Sequence, residues 1–149
     1  MTDRNAEPSA ALEALSPVDG RYADKCRELR ALFSEAALIR HRVRVEAEWF
    51  LFLAEDLRLA ELGALKRTVL DAAAALAARG APGEAAAVKA EETQINHDVK
   101  AVEYYVRGRL AAAGATPAEL EFVHFACTSE DINNLAYACL LYTSPSPRD

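Results

Sequence analysis

The sequence predicts an all-α protein. Apolar residues recur at steps of three and four over long stretches, helix formers led by alanine dominate from about residue 24 onward, and glycine and proline, six of each, fall at the breaks. No alternating run is long enough to read as a strand, and no internal repeat is present. After breaks at Pro17 and Gly20, Ala36, Ile39, Val43, Ala47, Phe50, Ala54 and Leu57 form one apolar stripe along a long helix. Trp49 and Phe52 lie off that stripe, so the helix is expected to be apolar on a second side and to sit inside a bundle. Beyond Gly63, a second helix is expected over 65–78, its alanines allowing a neighbour to approach closely, with Gly80-Ala81-Pro82-Gly83 ending it. A weaker helical stretch runs through Ala90. Val99, Val102, Val106 and Leu110 then mark an amphipathic helix that starts at Asn96 and closes at Gly114. Thr116-Pro117-Ala118-Glu119 is a helix start with proline in the first position, and Thr128-Ser129-Glu130-Asp131 opens a further apolar run.

Composition narrows the function. With 149 residues, 52% apolar and 27% charged, the chain has a globular make-up. Seventeen Lys and Arg against 23 Asp and Glu leave a net charge of −6, which argues against a broad basic face for nucleic acid or an anionic membrane. Any anionic ligand is therefore expected to be held by a few local groups. Apolar runs such as 49–54 and 135–142 fall far short of the roughly 18 residues of a membrane span. The N-terminus has neither the basic start nor the apolar stretch of a secretory signal, so a cytoplasmic location is expected. Cys26, Cys127 and Cys139 are odd in number and lack C-x-x-C spacing, against a disulfide framework and a zinc site; Cys26 and Cys127 read as small buried residues.

Three polar clusters sit where chemistry is easily built. In Ser16-Pro17-Val18-Asp19-Gly20-Arg21-Tyr22, a turn presents a forked cation suited to phosphate or carboxylate beside a phenol, although such a loop also reads as a solvated turn. In Asn96-His97-Asp98, Asn96 would cap a helix and Asp98 would complement its dipole, leaving His97 as an anion donor, a proton exchanger or an ordinary surface residue. In Thr128-Ser129-Glu130-Asp131-Ile132-Asn133-Asn134, two hydroxyls precede a helix end whose N–H groups favour an anion. A capping box in which Thr128 or Ser129 caps and the acids reach back explains the same residues without a ligand. Asn133-Asn134, unfavourable inside a helix, tips the reading toward a site. His41 and His124 read as structural.

Taken in order, Ser-Pro-Val-Asp-Gly-Arg-Tyr, Asn-His-Asp-Val-Lys-Ala-Val-Glu-Tyr and Phe-Val-His-Phe-Ala-Cys-Thr-Ser-Glu-Asp-Ile-Asn-Asn-Leu closely resemble the N-terminal part of the bacterial adenylosuccinate lyase family, over about residues 15–138. The resemblance implies an all-helical fold of the fumarase/aspartase superfamily: a flexible start over 1–14, an N-terminal helical domain over 15–123 and the beginning of a central bundle over 124–138. It implies a homotetramer with active sites shared between subunits, a succinylated purine nucleotide as substrate, and no metal or organic cofactor. The reaction implied is β-elimination of fumarate from adenylosuccinate, giving AMP, or from the succinyl-carboxamide ribotide of purine biosynthesis. Arg21 and Tyr22 fall on the family's phosphate-contacting residues, Asn96, His97 and Asp98 on its substrate-contacting segment with the histidine near the reacting centre, and Thr128 and Ser129 on its succinyl-carboxylate pair.

The chain departs from the family pattern in what it lacks. Neither the general-acid Thr-His-Gly-Gln motif nor the general-base Ser-Ser-x-Met-Pro-x-Lys-x-Asn motif occurs among the 149 residues. The polypeptide is therefore expected to have no lyase activity, and the apolar stripe on Leu135 and Ala138, without bundle partners, to promote aggregation. The stretch 139–149 looks like a translated sequencing adaptor and is expected to be a non-native tail. Another superfamily lyase and a non-catalytic helical interaction module remain alternatives.

Overall fold

The computed structural model describes residues 12–78, 81 and 83–142. The chain divides into two compact units, Met1–Ser34 and Glu35–Asp149. In the first, none of the described residues is buried, so local hydrogen bonds set the conformation. The N–H groups of Asp19 and Gly20 donate to Ser16 O, and that of Tyr22 donates to Pro17 O. A 3-10 turn, Arg27–Leu29, leads into the one-turn helix α1 (Arg30–Phe33).

The second unit is built on α2 (Glu35–Leu51), with α3 (Arg67–Ala78), α4 (Glu84–Ile95), α5 (Asp98–Ala112), the one-turn α6 (Pro117–Leu120) and α7 (Ser129–Tyr142). No strand occurs among the described residues, as the sequence predicts. The α2 stripe carries the core: Ile39, Val43, Ala47 and Phe50 pack with Val69 and Ala73 of α3, Val88 of α4, and Val102, Val106 and Leu110 of α5. Helix α2 also packs along α7. A smaller cluster joins Val45, Val99 and Ile132, with Cys127 at its edge. No helix among the described residues is long and apolar enough to cross a membrane.

Local chemistry explains where the helices stop. The expected stripe through Leu57 ends early, because Phe52–Asp56 widens into a π-turn in which Leu57 N–H donates to Phe52 O at 2.9 Å, leaving Leu57 53% exposed. At the end of α5, Ala115 N–H reaches Leu110 O and Gly114 N–H reaches Ala111 O, a Schellman closure that needs the left-handed φ of +101° that Gly114 adopts. Lys66 Nζ and Thr68 Oγ1 donate to Gly114 O and Ala113 O, tying that closure to the start of α3. Thr116 and Glu119 form the expected capping box.

Three sequence readings need correction or delimitation. Cys26 and Cys127 are half-buried rather than buried: Cys26 sits in a unit none of whose described residues is buried, and Cys127 edges the small cluster. Gly80 and Pro82 of the expected α3 stop lie outside the described residues, as do 1–11 and 143–149. Residues 139–142 of the expected tail continue α7 as helix.

The contrast between two phenylalanines tests this packing. Phe50 is fully buried, so Phe50→Ala is expected to lower unfolding free energy by about 3–5 kcal/mol. Phe52 is 41% exposed and stacks on Trp49 at 5.6 Å, so Phe52→Ala is expected to cost only about 1 kcal/mol. Urea denaturation of the two variants reads the difference, and equal losses would contradict the core assignment.

Candidate functional site

The beginnings of α5 and α7 are brought together by Arg42, a residue that none of the sequence clusters contains. Arg42 lies in the middle of α2 and is 7% exposed. Its Nε donates to Asn133 Oδ1 at 2.8 Å, in the first turns of α7, and its Nη2 sits 2.7 Å from Asp98 Oδ2, the first residue of α5. Beneath this bridge, Val45, Val99 and Ile132 form the apolar floor. The guanidinium fork holds two helix starts at a fixed separation through charge-assisted bonds. Asn133, which the sequence reading took as a sign of polar partners, is one of the two acceptors.

At the α5 start the capping differs from the expectation. Asn96 ends α4 in the left-handed region, φ +53°, and His97 is the N-cap of α5, its Nδ1 accepting the N–H of Lys100 at 3.2 Å. The physical reason is that Asn tolerates left-handed backbone far better than most residues, while an extended residue must precede the helix. A ring that accepts at Nδ1 carries its proton on Nε2, so neutral His97 offers an outward donor on a half-exposed side chain. Asp98 Oδ1 accepts Val99 N–H at 2.8 Å. Desolvation pushes the Asp98 carboxyl up, but the Val99 N–H and the charge of Arg42 outweigh it and hold the group below its ordinary value.

At the α7 start, the capping-box reading is realised. Thr128 Oγ1 and N–H both donate to Asp131 Oδ2, at 2.8 and 2.7 Å, while Asp131 N–H reaches back toward Thr128 Oγ1 at 3.4 Å. These bonds depress the Asp131 carboxyl. Ser129 and Glu130 contribute first-turn N–H groups with no acceptor inside the helix. Arg21 and Tyr22 belong to the other unit and are exposed; the guanidinium lies over the Tyr22 ring at 4.8 Å.

A second buried charge lies one turn along α2. Glu46 is fully buried, with Oε1 2.5 Å from His124 Nδ1. Burial pushes its carboxyl up, against the pull of His124. The sequence reading missed both Arg42 and Glu46 and took His124 as structural. The signal was present: at 100° per residue, Arg42 and Glu46 fall inside the arc between the Ile39–Phe50 stripe and the Val45–Trp49 side, where a charge needs a partner. A groove of about 740 Å³ runs between α2 and α7, lined by Val45, Trp49, Phe52, Cys127, Leu135 and Cys139 among others; it takes in Asp131 and Ile132 of the third cluster but neither Thr128 nor Ser129.

A family described as lyase matches residues 20–146, and the chain belongs to it; its domain is the all-α fold of the fumarase/aspartase superfamily. Among curated proteins, the chain is similar to the adenylosuccinate lyases of Escherichia coli K12, 44% identical over 135 residues, Vibrio cholerae, 45% over 132, and Haemophilus influenzae, 42% over 135. These alignments take in 91%, 89% and 91% of this chain and 30%, 29% and 30% of the relatives. The chain thus spans about 30% of the length of those relatives.

The site has an acid signature. Asp98 and Asp131 both have depressed folded values, so the stability they contribute is present above about pH 4, the unfolded value, and is lost as pH falls through the folded one. Asp98→Asn is expected to be less stable than the parent at pH 6 and to show a shallower loss between pH 4 and 2. Urea midpoints across that range check it; superimposable profiles would remove Asp98 from the ionised network.

Proposed function

We propose that this chain is the substrate-contacting N-terminal portion of an adenylosuccinate lyase, which cleaves fumarate from adenylosuccinate and from the succinyl-carboxamide ribotide of purine biosynthesis. The observation that carries the reading is the Arg42 bridge, which puts the Asn96-His97-Asp98 segment and the Thr128-Ser129 helix start on one rigid frame. Family membership and the relatives' printed names support it.

In this reading, one succinyl carboxylate is held at the α7 start by the Ser129 hydroxyl and the first-turn N–H groups, with Thr128 joining as Asp131 releases it. The reaction removes a proton from the carbon next to that carboxylate, so negative charge accumulates on the carboxylate as the aci-form develops. Donors fixed there before the reaction, at the positive end of a helix, stabilise that charge without reorganising. His97, with its proton on Nε2, donates near the reacting centre, while Asp98 stays ionised and keeps Arg42 engaged. Arg21 and Tyr22 hold the phosphate, whose binding energy orients the distant bond. The acid and base come from segments whose motifs these 149 residues do not contain, so this polypeptide turns over nothing by itself. The parent enzyme is a cytoplasmic homotetramer that works without metal or organic cofactor.

The test is a titration of the purified chain with adenylosuccinate, followed by amide NMR and by fumarate release. Expected are shifts at His97, Asp98, Ser129 and Glu130, about tenfold weaker binding for Ser129→Ala, and no fumarate. Shifts confined to other surfaces would overturn the site, and fumarate released by the chain alone would overturn its inactivity.

A further inference from the structure

The proposed elimination makes no use of Glu46 and His124, yet these two form a buried ionisable contact in the larger unit. Glu46 Oε1 meets His124 Nδ1 at 2.5 Å, and Glu46 Oε2 is buried without a hydrogen-bond partner among the described residues. A carboxylate so enclosed is tolerated only where a specific partner compensates its lost hydration. That partner is His124, which meets it through Nδ1.

His124 is also where the backbone is strained. His124 and Ala126 both adopt left-handed backbone, φ +63° and +58°, which side-chain-bearing residues avoid unless surrounding contacts hold them there. Between them, Phe125 O accepts the indole N–H of Trp49 at 2.8 Å. Helix α2 therefore grips the loop twice, Glu46 on His124 and Trp49 on Phe125. Directly after the second strained residue, Cys127 packs against Val45, Val99 and Ile132, and Thr128 caps α7.

We propose that Glu46 is a positioning residue: by holding His124 in left-handed backbone, it fixes the 124–127 loop and so sets the direction in which the α7 start presents Thr128, Ser129 and the first-turn N–H groups to a carboxylate. The inference rests on the carboxylate-binding reading of that helix start and adds the device that aims it. A capping box fixes the helix end locally. It does not orient that end against the rest of the unit, and the α2 grip does.

The experiment uses the full 149-residue chain, sodium fumarate as the probe and NMR as the readout. Backbone couplings and carbon shifts report the left-handed conformation at His124 and Ala126, side-chain nitrogen shifts report the His124 tautomer, and Ser129 and Glu130 amides report fumarate affinity. In Glu46→Ala, the left-handed signatures at His124 and Ala126 are expected to vanish and fumarate to bind at least tenfold more weakly, with far-ultraviolet helicity retained. Glu46→Gln, whose amide can still pair with His124 Nδ1, is expected to restore both to within about threefold. The double variant Glu46→Ala/His124→Gly is the decisive companion, because glycine takes positive φ without help. It is expected to recover affinity within about threefold, and it carries the test together with Glu46→Gln if Glu46→Ala alone does not fold. Left-handed signatures and affinity unchanged in Glu46→Ala, or a double variant as weak as a tenfold loss, would overturn the positioning role. If the parent chain shows no fumarate response at all, the carboxylate-binding reading fails, while the backbone signatures still decide whether Glu46 holds the loop.

Discussion

A guanidinium buried to 7% exposure has to find its acceptors inside the protein, and Arg42 finds Asp98 and Asn133, 56 and 91 residues away along the chain. Leaving such a cation unpaired would cost several kcal/mol, so the arrangement of α5 and α7 about α2 is dictated by this group as much as by apolar burial. The apolar floor of Val45, Val99 and Ile132 supplies close approach, and the fork supplies register. Without the fork, two helix starts resting on valine and isoleucine would have many nearly equal packings; with it, donor geometry selects one.

The consequence is electrostatic. Helices α5 and α7 both begin at this place, and each brings the positive end of its dipole and a set of first-turn N–H groups. Arg42 adds a full positive charge, which Asp98 neutralises, while Asp131 closes the α7 cap. Acidic overall by six charges, the chain thus gathers at one spot the donors that the proposed carboxylate site would use. The pair formed by Glu46 and His124 lies one helical turn further along α2 and faces the loop that feeds α7. One helix therefore supports both sides of the site with buried charges while its stripe builds the core.

Much of this was legible in the sequence. The all-α class, the breaks at Gly114 and Thr116, and the α2 stripe follow from period and caps, which are local. The three clusters are legible because polar residues gathered at a turn or a helix start stand out. What was misread depended on backbone detail or on long-range partners. Asn caps well, which points to Asn96 as the cap, but it also accepts left-handed backbone, and only the kink between α4 and α5 decides which property is used. Leu57 left the stripe because a π-turn shifts the helical phase, which no residue pattern announces. Arg42 and Glu46 are not legible in the local pattern because each acts through a partner at least 50 residues away. The arc that Arg42 and Glu46 occupy on α2 nonetheless marks those two as charges inside an apolar sector.

The most direct test of the central claim is a double-mutant cycle between α2 and α7, using Arg42→Met, Asn133→Ala and the pair, with unfolding free energies from urea titrations at pH 7. If Arg42 docks α7, the two residues should couple by about 1.5–3 kcal/mol, the range of a hydrogen bond to a charged group. A coupling below about 0.3 kcal/mol, with single losses simply adding, would mean that apolar packing alone sets α7 and that the charged bridge follows the fold rather than fixing it.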